Sequence, residues 1–354
     1  MRSLAEEIYE IIKDYHFDHG DCKHPMSVEH ILNWANQFGD NAQFVLQEFS
    51  RILVDTYISK AKAEILALES LVEFQKFYKY SSLIEFLRAT CFLDLQPENK
   101  SQKELLDILD KIIREKTGSS IEELQLFPKK HFLYVDDILA TGGTLYRDLK
   151  SWLLISGSAG TNLDLILNGS ITLASSFFCV HQLGQNNSEW ALIQNVDKRL
   201  LRKLPVRFDY LVENQVKWTT QKLNCLIPIA NQPKHVLEYL NSLEIPNPGK
   251  ADAFRSPNQP SKEVFFSNDE NRLRFEQIFL EKGIELLGKV KSSTPDLRKR
   301  PLGDTVKSHR TFGTGTMFFT WRNVSNTCPL AFWWDVPGHE WIPLFCVKNR
   351  GLSR

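Results

Sequence analysis

Cysteine, net charge and long apolar runs are all scarce in this chain, and each scarcity closes off a class of function. Six cysteines occur in 354 residues. Cys22, Cys91, Cys179, Cys225, Cys328 and Cys346 are scattered with no paired spacing, so the chain carries neither a disulfide framework nor a two-plus-two zinc pattern. Three of them sit in apolar, strand-like stretches, which reads as free buried thiols in a reducing cytosol and sets the expectation of a cytoplasmic protein. Lys plus Arg and Asp plus Glu both number 43, giving a formal net charge of zero. Bulk charge therefore offers no attraction for nucleic acid or a membrane surface. No apolar run approaches the ~20 residues of a membrane span. The opening residues, MRSLAEEIYEIIKDY, form an amphipathic helix containing acids rather than a signal peptide. No membrane association is expected.

Against that plain background one stretch stands out, Phe132–Leu145, FLYVDDILATGGTL. Phe132–Val135 have a short buried-strand pattern, followed by two adjacent carboxylates, Asp136 and Asp137. Ala140, Thr141, Gly142, Gly143 and Thr144 make a small-residue loop, after which Leu145, Leu149, Trp152 and Leu153 recur at helical spacing. A phosphate is best received by unpaired backbone N–H groups at a helix start, where the dipole also favours negative charge. Gly142 and Gly143 allow the backbone to curl closely around it, and Thr141 and Thr144 add hydroxyl donors. The acidic pair lies about one sugar length away. It supplies acceptors for ribose hydroxyls and hard oxygens that can help retain Mg²⁺. The carboxyl end of a strand is also where open α/β sheets bind ligands.

These residues resemble the PRPP-binding signature of type I phosphoribosyltransferases. The resemblance implies that Asp136 and Asp137 contact the ribose 2′- and 3′-hydroxyls and serve as the catalytic pair, with Mg²⁺ held indirectly or through the ligand. It also implies that Ala140 to Thr144 cradle the 5′-phosphate. Purine-salvage members carry an acid where this chain has Ala140, so a purine-directed base at that position is not expected. Orotate-type members lack it too, and transfer in general stays open.

The expected fold class is α/β: a phosphoribosyltransferase-like, mostly parallel sheet flanked by helices, with an N-terminal helical bundle and an aromatic-rich C-terminal α+β closing segment. Residues 1–80 read as helices, the fourth starting at Tyr57. His16, His19, Cys22 and His24 have zinc-ligand types but irregular spacing, and read as a solvated turn. In the core, 81–235, Ala89–Leu95 form a strand and Gln102 opens a helix. Asn99, Lys100 and Ser101 between them are candidate pyrophosphate contacts, or a plain connection. Gly157–Gly169 read as a connection, Ser170–Val180 as a strand and Asn187–Leu200 as a helix, with further strand candidates at Val206–Val212 and Leu223–Ile229. His181, just past a strand end, can face the site or be satisfied in the core. Residues 236–268 are a linker or lid. In 269–354, Arg272, Arg274 and Lys282 flank a long helix, and four of the eight tryptophans crowd into Trp321–Trp341. Arg322 and Asn323 among them are candidate contacts to a base or second phosphate, or close local turns.

The whole chain is similar to a phosphoribosyltransferase-like family of bacterial conflict systems, through NWANQF, FLDLQPENKSQ, the signature loop, ENRLRFEQIFLEKGIELL, RPLG and the Trp-rich tail. The similarity implies an effector of antiphage defence, in some cases in retron-type operons beside a reverse transcriptase, with its nucleic acid, and a winged-helix protein. Two other classes of function remain in view. One is a catalytically silent nucleotide sensor. The other is a ribonucleoprotein scaffold using aromatic stacking, which the zero net charge disfavours.

Overall fold

The apolar spacings of the first sixty residues fold as helices. In α1 (Arg2–Ile12) Ala5, Ile8 and Ile12 are buried; α2 (Val28–Asn36) buries Ile31 and Trp34; α3 (Ala42–Thr56) buries Val45, Leu46, Phe49, Ile52 and Leu53. Ser27 caps α2 by accepting a hydrogen bond from His30 N at 3.1 Å. The computed structural model describes residues 1–16, 24–98, 100–216, 222–245, 252–290 and 296–347. His19 and Cys22 of the candidate zinc cluster thus lie outside the described residues. His16 stacks on Tyr15 at 4.3 Å and His24 on His30 at 5.5 Å.

Helix spacing from Tyr57 onward is overruled locally. Tyr57–Ile58 form a short strand, β1, and the next helix, α4 (Lys60–Phe77), begins two residues later. Asp14 explains the offset. Its carboxylate accepts both the Tyr57 hydroxyl and the Lys60 N–H at 2.7 Å, a cap supplied from far along the chain.

Two units divide the chain, Ala61–Leu211 and the discontinuous Met1–Lys60 with Val212–Arg354. The first is an α/β layer structure. After α4 come α5 (Leu83–Arg88), β2 (Thr90–Leu93), α6 (Ser101–Thr117), α7 (Ile121–Leu124), β3 (His131–Leu139) and α8 (Gly143–Leu153). Then follow β4 (Ser156–Gly157), β5 (Gly160–Thr161), α9 (Asn162–Leu167), β6 (Thr172–His181), α10 (Gln182–Asn195) and β7 (Val206–Val212). The sheet has the order β2-β3-β6-β7, with β2–β3 and β3–β6 parallel. β6 is buried along almost its whole length, as a strand covered on both faces must be. Leu145, Leu149, Trp152 and Leu153 of α8 pack with Leu173 and Phe177 of β6 in one apolar cluster.

Three departures from the expected elements have local causes. The 157–169 connection contains a β4–β5 hairpin and α9, started by a capping box between Thr161 and Asp164. The helix expected from Asn187 starts at Gln182, because Gly184 is a packing position rather than a breaker. It ends at Asn195, after which Asp197 caps a separate turn, Lys198–Leu200. No strand forms over 223–229, where Cys225 and Ile229 make only isolated bridges. The Leu223 and Cys225 carbonyls are instead taken by the Arg272 guanidinium.

The second unit is completed by α11 (Lys234–Ser242), α12 (Asp269–Gly288), β8 (Phe319–Thr320) and α13 (Leu330–Trp333). β8 pairs in parallel with β1. Arg272 does not flank α12 but points inward, 1% exposed, paired with Glu263 and Glu276; Arg255 completes the network with Glu276 at 2.8 Å. A buried cation demands such partners. Within 236–268, Arg255, Phe265 and Phe266 are buried, while 246–251 lie outside the described residues. The aromatic tail is core: Phe332 and Phe345 pack with Phe49 and Phe319, and Trp34 stacks on Phe332 at 5.5 Å. The indole N–H groups of Trp34 and Trp341 donate to the Ala331 carbonyl, and that of Trp333 to Cys328 O, as buried indoles require.

Candidate functional site

β3 runs through the acidic pair to Leu139, so Asp136 and Asp137 are strand residues whose side chains leave opposite faces of the sheet. Their environments diverge accordingly. Asp136 is buried and Asp137 half-buried. Asp136 accepts Gln96 Nε2 at 2.7 Å, the Ser101 hydroxyl, and the Asp137 N–H at 2.9 Å. Burial, and then the Asp137 charge, push its carboxyl up to about 7 in spite of those donors. Asp137 accepts from the Ile138 N–H at 2.8 Å.

A polar network spreads from Asp136 across β3. Gln96 Nε2 also donates to the Tyr134 hydroxyl at 2.7 Å, which donates onward to Asp148 of α8 at 2.8 Å. Burial raises the Tyr134 phenol well above its ordinary value, keeping it a donor, and raises the Asp148 carboxyl too. Gln102, in the first turn of α6, pins the β2–α6 loop. Its carbonyl accepts Leu95 N at 2.7 Å and Gln96 N at 3.0 Å, while its amide donates to Val135 O at 3.1 Å. The loop and the acidic strand are therefore held as one piece. Gln96 and Tyr134 sit inside FLDLQPENKSQ and FLYVDDILATGGTL, but neither motif marks them as partners of Asp136, and Asp148 belongs to no motif. Only the fact that Tyr134 and Asp136 share a strand face hinted at them.

Beyond Leu139 the chain turns through Ala140 and Thr141 into Gly142, whose φ of 81° is the left-handed region, and α8 begins. No side chain caps α8, and Gly143 and Thr144 are exposed at its tip. The two glycines have different roles. A Cβ on Gly142 would stand 2.2 Å from the Gly184 carbonyl oxygen, and one on Gly184 would stand 1.8 Å from the Ala140 carbonyl oxygen. Loop and α10 thus meet backbone to backbone. A Cβ on Gly143 would meet nothing nearer than Thr141 Oγ1 at 3.9 Å. Protein packing does not require glycine at 143, and the open space there suits a ligand. Arg147, exposed one turn into α8, donates to Thr144 Oγ1 at 3.3 Å and puts a cation beside the loop.

The remaining candidates fall as follows. Ser101 meets Asp136, which brings the α6 start to the acidic pair, and Lys100 is exposed beside it. Asn99 lies outside the described residues. Asn323 closes a local turn, its Oδ1 accepting Val324 N at 2.9 Å and its carbonyl accepting Thr320 Oγ1 at 3.0 Å. Arg322 and Asn323 both belong to the other unit. His181 ends β6 fully buried; burial pushes its imidazole down to about 3, leaving it neutral. Among the described residues no group of three or more His, Cys, Asp and Glu gathers to hold a metal. Asp136 and Asp137, on opposite faces of β3, do not converge on one ion, so a metal such as Mg²⁺ would be held indirectly, through its own waters and a ligand's phosphates. No helix among the described residues is long and apolar enough to cross a membrane.

A family model described as PRTase-CE matches residues 31–347. No curated protein and no solved structure matches the chain.

Proposed function

The chain belongs to the PRTase-CE family of phosphoribosyltransferase-like proteins, and from that premise we propose that its β3–α8 unit binds PRPP or a related nucleotide for ribosyl transfer. The observation that carries the reading is the uncapped start of α8, reached through a left-handed Gly142 directly after a strand bearing two carboxylates. First-turn N–H groups, the helix dipole and the hydroxyls of Thr141 and Thr144 hold the 5′-phosphate. Asp137 accepts from a ribose hydroxyl. Asp136 lends a second acceptor when the ligand displaces Ser101, whose hydroxyl and neighbour Lys100 then turn to the pyrophosphate. Asp136 and Asp137 would steady Mg²⁺ through the ligand, and the ion would supply Lewis-acid stabilisation of the leaving group. Anchoring the phosphate far from the anomeric carbon uses binding energy to position the bond that breaks. As it breaks, pyrophosphate leaves with the electron pair, and the acceptor forms the new bond and loses its proton. With Ala140 in the loop, that proton goes to the acceptor's own base or to solvent.

One observation favours a second reading. Ser101 and Gln96 already engage Asp136, as suits a nucleotide sensor that binds without turnover. Calorimetry of the full chain with PRPP and Mg²⁺ tests the shared site. Asp137→Asn and Gly143→Ala are expected to weaken binding at least tenfold with an unchanged melting temperature. Wild-type affinity in both variants would remove the site. A pyrophosphate-release assay on the wild type then separates transferase from sensor. The wider similarity supports a cytoplasmic role as a defence effector, with a reverse transcriptase and a winged-helix protein as partners. Co-purification from cells expressing the three proteins tests that placement.

A further inference from the structure

Behind the phosphate loop, α8, α10 and the segment entering β7 enclose a cavity of about 200 Å³. That is more than the roughly 150 Å³ in which an apolar cavity admits benzene. Its walls are mostly apolar, with Leu145 and Leu149 of α8, Leu192 of α10, and Leu204 and Val206 at the start of β7, while Gln185 of α10 adds a polar group. Ser188, also in the lining, backs Gly142: its Cβ would lie 3.0 Å from a Cβ built there. The cavity is thus framed by the same tight α8–α10 contact that shapes the loop.

Two features make it more than a packing gap. Ser175 of β6 lines it and shares a sheet face with Leu173 and Phe177. The residue is 2% exposed, and its N–H is spent on Pro205 O at 3.0 Å. Its hydroxyl makes no hydrogen bond among the described residues, and the residue lines the cavity. Buried hydroxyls are normally hydrogen-bonded, so this one is placed to meet an occupant. The second feature is the rim, where Glu189 and Arg202 are both exposed lining residues and neither belongs to an ion pair among the described residues. Arg202 also has a φ of 60°, left-handed for a residue other than glycine, a strain that clusters at ligand sites.

We propose that this cavity binds a free aromatic amino acid of the tyrosine type. The ring lies between the leucines and its phenol hydrogen-bonds to Ser175. The α-ammonium and α-carboxylate stay at the rim with Glu189 and Arg202. A wholly apolar occupant would leave Ser175 unpaired. An anion alone would face Glu189, and a cation alone would face Arg202. A zwitterion with an apolar ring and a polar tip satisfies all three groups. The site is independent of the sugar-phosphate reading, since it rests on the cavity and its lining alone.

Calorimetric titration of the full chain with L-tyrosine, without PRPP, decides it. Saturable one-to-one binding is expected, at least tenfold tighter than that of tyramine, of 3-(4-hydroxyphenyl)propionate or of L-phenylalanine. Arg202→Gln and Glu189→Gln, both at exposed positions that leave the fold intact, are each expected to weaken L-tyrosine at least tenfold. Ser175→Ala is expected to abolish the preference for tyrosine over phenylalanine. No saturable heat with L-tyrosine, or unchanged affinity in both rim variants, would overturn the assignment.

Discussion

Asp136 and Asp137 are neighbours with one chemistry in the sequence and two in the fold. Asp136 is enclosed by Gln96, Ser101 and the Asp137 N–H, with its carboxyl pushed up to about 7, while Asp137 keeps access to the site. The sign of the Asp136 effect on stability is clear. A carboxyl whose folded value is raised above the unfolded value of about 3.9 costs nothing while protonated in both states. Its cost grows as pH rises from that value and is complete above the folded value. His181, buried neutral with its value pushed down to about 3, acts oppositely: it destabilises as pH falls below its ordinary range. A single pH profile therefore mixes the two. The expected outcome is that the melting temperature of wild type, measured against that of Asp136→Asn, falls steadily from about pH 4 to about pH 7. A constant offset across that range would show that Asp136 ionises normally.

At the scale of elements, the site depends on how the β2–α6 loop is tied to β3. Gln102 does this by accepting two loop N–H groups and donating to Val135 O. Gln102→Leu keeps the volume but leaves those three backbone groups unpaired in a buried place, at about 1–3 kcal/mol for each unsatisfied group. The expected result is a clear drop in melting temperature, with PRPP affinity lowered further because Ser101 and Lys100 lose their placement. Unchanged PRPP affinity would show that the α6 start has no part in the site. The spacing of strand, acids, loop and helix made β3 and α8 legible in the sequence, because one element and its neighbour are set by local order. Gly184 was not legible. Nothing beside it in the chain marks it, and only the 1.8 Å approach of Ala140 O to its absent Cβ reveals it as the partner of the loop. Arg272 was misread for the same reason: its helix position suggests a flank, but its partners Glu263, Leu223 and Cys225 lie outside α12.

For the whole molecule, the division of the chain has a consequence for folding. Ala61–Leu211 form a contiguous unit, whereas the other unit joins Met1–Lys60 to Val212–Arg354. In that second unit the join is specific: β1 pairs with β8, Trp34 donates to Ala331 O, and Phe49 packs against Phe332 at 4.9 Å. A fragment of residues 61–212 is expected to unfold cooperatively by heat. Residues 212–354 alone are expected to lack a cooperative transition, and to gain one when residues 1–60 are added in trans. Cooperative melting of 212–354 alone would contradict this. By itself, the sequence determined the α/β class of the core, the order of strand, acidic pair, glycine loop and helix, and the aromatic weight of the tail, because strand and helix periods, glycine loops and composition are written over a few consecutive residues. The tertiary structure decided which carboxylate is buried and where Arg272 points. It also placed a cavity floored by Ser175 and joined the first and last segments into one core. Those outcomes depend on contacts between distant residues, such as Gln96 with Asp136 across 40 positions, and burial and hydrogen bonding at that range leave no spacing to read.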